Sequence, residues 1–80
     1  MNKKNDTLTT TDLGLAAALV SEGFTISLLD RTHASKVGFI FKQEGNMEEM
    51  INDYWSDKLK VKAQSYFNSI KMLKSRVHDN

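Results

Sequence analysis

Lys58, Lys60 and Lys62 alternate with Leu59 and Val61. In an extended segment alternate side chains point the same way, so these three cations would face one surface. Such a row can meet successive phosphates of a nucleic-acid backbone, giving salt-sensitive binding without sequence choice. It would equally well keep an exposed strand edge from aggregating. The row opens a larger asymmetry. Residues 1–57 carry five Lys and Arg against nine acids, a net charge of −4, and residues 58–80 carry six against one, a net charge of +5. A basic end on a small domain points to an anionic partner, most often nucleic acid. The candidate nucleic-acid contacts are Arg31, Lys58, Lys60, Lys62, Lys71 and Lys74.

The last helix complicates that picture. On a helical wheel Lys71, Lys74 and His78 fall on one flank of an apolar face, and Lys62 and Arg76 on the other. Two basic flanks around an apolar stripe also suit a helix whose lysines lay their stems along the core.

A second surface competes with the first. Glu48, Glu49 and Asp53 line one side of a helical segment that ends in Tyr54 and Trp55. These acids, with Asp57, would meet the lysines of a second copy in a homodimer. They would also imitate a phosphate backbone and occupy a host protein, as an inhibitor does. Tyr54 and Trp55 suit base stacking, but at helical spacing from Ile51 they fit a core or a protein contact better.

The signatures of an enzyme do not stand out. Neither a P-loop, a G-x-G-x-x-G nor an H-E-x-x-H is present, and His33 and His78 have no metal-ligand spacing. The chain has no cysteine, which excludes disulfides and thiolate metal sites. No catalytic residue, metal or cofactor is assigned. Asp30-Arg31-Thr32-His33 has the polarity of a catalytic or phosphate-binding loop, yet an Asp bonding its own backbone in a solvated turn is the commoner arrangement.

The elements that position these residues follow from periodicity. Residues 1–9 are polar and read as a flexible tail, and residues 10–80 as one α+β domain. Thr10 or Thr11 would cap a helix, with Asp12 in its first turn. Leu13, Ala16, Ala17 and Val20 make its apolar face, and Gly23 ends it. Phe24, Ile26 and Leu28 alternate with Thr25 and Ser27, and after a short polar turn Val37, Phe39 and Phe41 alternate with Gly38, Ile40 and Lys42, which predicts a hairpin. Asn46 with Glu49 makes a loose capping box for a second helix through Met47, Met50, Ile51 and Tyr54. A third runs from Ala63 to Val77 over Tyr66, Phe67, Ile70 and Leu73. The expected order is α-β-β-α-α, a two-stranded antiparallel hairpin packed against three helices. No apolar run approaches the length of a membrane span, and the expectation is a soluble, cytoplasmic protein that does not enter membranes.

Several short pieces in order carry a resemblance. They are Thr11-Asp12-Leu13, Ala16-Ala17, Gly23, Asp30-Arg31, Val37-Gly38-Phe39-Ile40-Phe41, Asp53-Tyr54-Trp55, Leu59-Lys60-Val61, Phe67 and Lys71-Met72-Leu73-Lys74. The chain resembles a family of small single-domain prokaryotic and phage proteins classed as a domain of unknown function, over about residues 10–77. The resemblance implies a free-standing protein of a bacterium, phage or mobile element. It implies no activity, and it adds weight to Asp30-Arg31 and to Lys71 with Lys74. The function expected is a small non-enzymatic protein associating with nucleic acid through its basic C-terminal region. The alternative is a protein-interaction module, a phage accessory or inhibitor using Glu48, Glu49, Asp53, Tyr54 and Trp55.

Overall fold

The computed structural model describes residues 7–33 and 35–79. Its elements run β1 (Thr7–Thr10), α1 (Leu13–Ser21), β2 (Ile26–Asp30), β3 (Gly38–Lys42), α2 (Met47–Trp55) and α3 (Ala63–His78). The fold is α+β, with three helices and a three-stranded antiparallel sheet in the order β1-β3-β2. The expected two-stranded hairpin and its α-β-β-α-α order therefore gain a strand at the front. Residues 7–9, assigned to a flexible tail, pair with β3, and Leu8 lies opposite Phe41. One apolar residue among threonines is a weak strand signal, although β-branched threonine suits a pleated surface. The rest of that expected tail, residues 1–6, lies outside the described residues.

The hairpin strand β2 starts later than its alternation suggested. Ile26 pairs with Phe41 but Leu28 pairs with Ile40, so Ser27 is the extra residue of a bulge. A bulge of one residue reverses which side chains face the core. Leu28 is consequently 60% exposed, while Ile26 and Leu29 pack against the core.

Helix α1 is capped by Asp12 itself, not by Thr10 or Thr11. The Asp12 carboxylate accepts the Leu15 N–H at 2.8 Å, and Thr10 Oγ1 accepts the Asp12 N–H at 3.1 Å. Leu15 to Leu19 are all buried, so this helix is enclosed on every side instead of showing one apolar face. The core cluster joins it to Phe39 and Phe41 of β3, Met47 and Met50 of α2, and Leu73 of α3. Helix α2 begins without its expected capping box, since the Asn46 side chain makes no capping bond. Helix α3 buries Ser69 and Leu73 and half-buries Tyr66, Ile70 and Val77, leaving Ala63 and Phe67 in solvent. The apolar stripe is thus rotated slightly from the one its hydrophobic residues suggested. Among the described residues no helix is long and apolar enough to cross a membrane.

Candidate anion-binding cleft

The turn between β2 and β3 fixes the site. Asp30 Oδ1 accepts the Thr32 N–H at 3.0 Å and the Thr32 hydroxyl at 2.8 Å. Those bonds, the backbone one foremost, hold the Asp30 carboxyl below the usual carboxylate range. This is the solvated turn, with the Asp serving the chain's own backbone. The neighbouring Arg31 does something else. Its guanidinium donates to the carbonyls of Val77 at 3.0 Å and Arg76 at 2.8 Å. The last carbonyls of a helix lack intrahelical partners and carry its negative end, so a cation there is favoured. Arg31 fastens the sheet's hairpin to the end of α3, which sets two walls of a cleft.

The cleft has a volume of about 580 Å³. Leu13, Val37, Phe39 and Val77 form its apolar part. Arg31, Lys36, Lys74 and His78 surround it with basic groups, and the hydroxyls of Thr11 and Ser35 complete the lining. No Asp or Glu lines it among the described residues. Apolar walls with a few convergent polar groups are the usual make-up of a ligand site. The charge here selects an anion.

The six candidate nucleic-acid residues are divided by this geometry. Arg31 and Lys74 meet in the cleft. Lys71 lies one turn back along α3, with its Nζ 5.3 Å from the centre of the Phe67 ring. Lys58, Lys60 and Lys62 are exposed and Leu59 and Val61 half-buried, which is the alternation expected of them. Their segment joins α2 to α3 and pairs with no strand among the described residues. Leu59 and Val61 instead line a groove of about 410 Å³ with Trp55 and Tyr66. None of Lys58, Lys60, Lys62 and Lys71 lines the basic cleft.

The acidic candidates lie elsewhere. Glu48 and Glu49 are exposed on α2, and Asp53 is half-buried. The Asp53 carbonyl accepts the N–H groups of Lys58 and Leu59, closing the end of α2. Tyr54 is tied inward, its hydroxyl donating to Asp12 Oδ1 at 2.9 Å. Trp55 is 63% exposed and meets the Tyr54 ring edge-on at 4.9 Å. No group of three or more His, Asp or Glu that could hold a metal converges among the described residues.

Three residues of this region escaped the sequence reading as site residues. Lys36 stands across the hairpin turn from Arg31, and a hairpin brings its two ends together, so their pairing was readable in principle. His78 needed the α3 carbonyl contacts of Arg31 to be placed. Phe67 was assigned to the core because its spacing fits, yet it is 58% exposed.

Fold and cleft together define a small α+β protein built around a basic, partly apolar cleft. The chain belongs to the family described as Domain of unknown function (DUF5659), whose family model matches residues 5–78. The family resemblance of its short motifs is therefore real and covers nearly the whole chain. Searches of curated proteins and of solved structures give no match to it.

Proposed function

We propose that this is a small non-enzymatic binding protein that associates with the nucleic-acid backbone, in the cytoplasm of a bacterium or on behalf of a phage or mobile element. The observation that carries the reading is the convergence of Arg31, Lys36, Lys74 and His78 on one cleft that no Asp or Glu lines among the described residues. Lys71 extends that basic surface along α3. Each phosphate neutralised contributes a slope of roughly −0.9 to the dependence of log K on log salt for duplex DNA. Binding to DNA is measured from low to moderate salt for the wild type and for Lys36→Glu/Lys74→Glu. Retention at low salt, with a slope reduced by roughly two in the variant, is expected. An absence of binding at low salt rejects the proposal.

One observation favours a second reading, a protein partner on α2. Trp55, 63% exposed at the edge of a groove, is the kind of aromatic anchor that protein interfaces use. Glu48, Glu49 and Asp53 would then set the sign of the partner's charge. A defined partner whose affinity is unchanged by reversing these three charges and by Trp55→Ala would remove this reading.

A further inference from the structure

We infer that the strand this protein takes is unpaired, running along one flank of α3 with a base stacked on Phe67 and another lodged in the cleft; this rests on the nucleic-acid reading above. Phe67, Lys71, Lys74 and His78 are spaced four, three and four residues apart, which places them on a single side of the helix. All four are exposed. With a rise of about 1.5 Å per residue the row extends roughly 16 Å, and its far end opens into the cleft.

The row joins the two features that unpaired nucleic acid requires. Cations that track the backbone are Lys71 and Lys74, and Arg31 and Lys36 join Lys74 at the cleft. An exposed aromatic ring at the start of the track is Phe67. Lys71 already lies over that ring at 5.3 Å, so cation and aromatic face are held together before any ligand arrives. Base stacking on such a ring tolerates any sequence, because every base has a flat face.

The cleft argues against a duplex as the preferred ligand. Its walls include apolar Leu13, Val37 and Val77, which phosphates alone leave unfilled. In a duplex the base faces are stacked on one another and only edges and phosphates are on offer. An unpaired nucleotide presents both parts at once, a flat apolar base for the walls and a phosphate for Arg31, Lys36 and Lys74. Thr11 and Ser35 supply hydroxyls for the base edge or the sugar.

The test uses three labelled probes of equal length at low salt: a single-stranded DNA, its duplex, and an abasic strand that keeps the phosphates and lacks the bases. The single strand is expected to bind about tenfold more tightly than either other probe. Phe67→Ala should lose about fivefold or more on the single strand, the lower range of one stacked base, and leave the abasic probe unchanged. Phe67 is exposed, so the variant should fold, and circular dichroism checks this. Equal affinity for all three probes, or an unaltered single-strand affinity in Phe67→Ala, overturns the unpaired-strand inference and leaves backbone association standing. Failure of every probe to bind overturns both.

Discussion

At the scale of single residues, a polar latch holds the three helices together. Asp12 Oδ1 takes both the Leu15 N–H and the Tyr54 hydroxyl, and the Tyr66 hydroxyl reaches the Gly14 carbonyl at 3.3 Å. Gly14 is where the two tyrosines converge: a Cβ there would collide with the Tyr54 hydroxyl and stand 3.2 Å from that of Tyr66. Gly14→Ala is accordingly expected to destabilise by about 1–3 kcal/mol despite its helical position, because the overpacked tyrosines must move. Thermal or urea unfolding measures this, and a gain in stability would show that the helix ends are looser than the geometry implies. Burial, then the bond to Asp12, pushes the Tyr54 phenol up to about 12. The folded state therefore favours the protonated phenol. Its contribution is complete below pH ~10, where the unfolded tyrosine begins to ionise, and is lost as pH rises towards the folded value. Tyr54→Phe should flatten the fall in stability over that alkaline range. A fall as steep as the wild type's would assign the alkaline sensitivity to other groups. Arg31 has a double role, gripping α3 and lining the cleft, so Arg31→Ala would confuse lost binding with lost structure. Lys36 and Lys74 are the cleaner probes of the cleft.

At the scale of elements, two helices end in the same motif with different residues. Gly23 follows α1 at φ 107°, and its N–H and that of Phe24 bond back to Val20 and Leu19. Asp57 follows α2 at φ 63°, and its N–H and that of Lys58 bond back to Tyr54 and Asp53. Both are Schellman endings, and a side chain in the left-handed region is strained where glycine is not. Asp57→Gly is expected to stabilise by about 1 kcal/mol, read as a higher Tm. An unchanged or lower Tm would mean that the Asp57 side chain compensates its backbone. The bulge in β2 yields a complementary prediction. Leu28→Thr should change stability by no more than about 0.5 kcal/mol, whereas Ile26→Thr should cost more than 1 kcal/mol. Similar costs at the two positions would contradict the bulge. The alternation of Phe24, Ile26 and Leu28 was legible in the sequence, but Ser27 breaks its phase. An inserted residue leaves no mark on local polarity, since its cause is pairing with β3.

At the scale of the whole molecule, one small cluster carries the fold. Phe41, Leu19, Met47 and Leu73 are its largest fully buried side chains, contributed by β3, α1, α2 and α3. A chain of 80 residues has little core to spare. Leu73→Ala should cost about 2–5 kcal/mol, enough to unfold much of the population at 37 °C. The three alanines of α1 are buried between these layers, and their small size admits α3 closely. The charge asymmetry is also a property of the whole. The basic C-terminal segment is distributed over the connector, the α3 flank and the cleft, and Arg31 and Lys36 from the acidic half complete the last of these.

The α+β class, the three helices, the two strands of the hairpin and the alternation of the Lys58–Lys62 connector were legible in the sequence. These follow from local periodicity and end signals, which short-range sterics and burial impose on neighbouring residues. Long-range contacts supplied the rest: β1 as an edge strand, Asp12 as a latch on Tyr54, Phe67 in solvent, and Arg31 closing α3. Each of these depends on a partner far away along the chain, 45 residues in the case of Arg31 and Arg76. No local pattern encodes such contacts. They arise when the hydrophobic faces dock, and the docking brought Arg31, Lys36, Lys74 and His78 to one cleft.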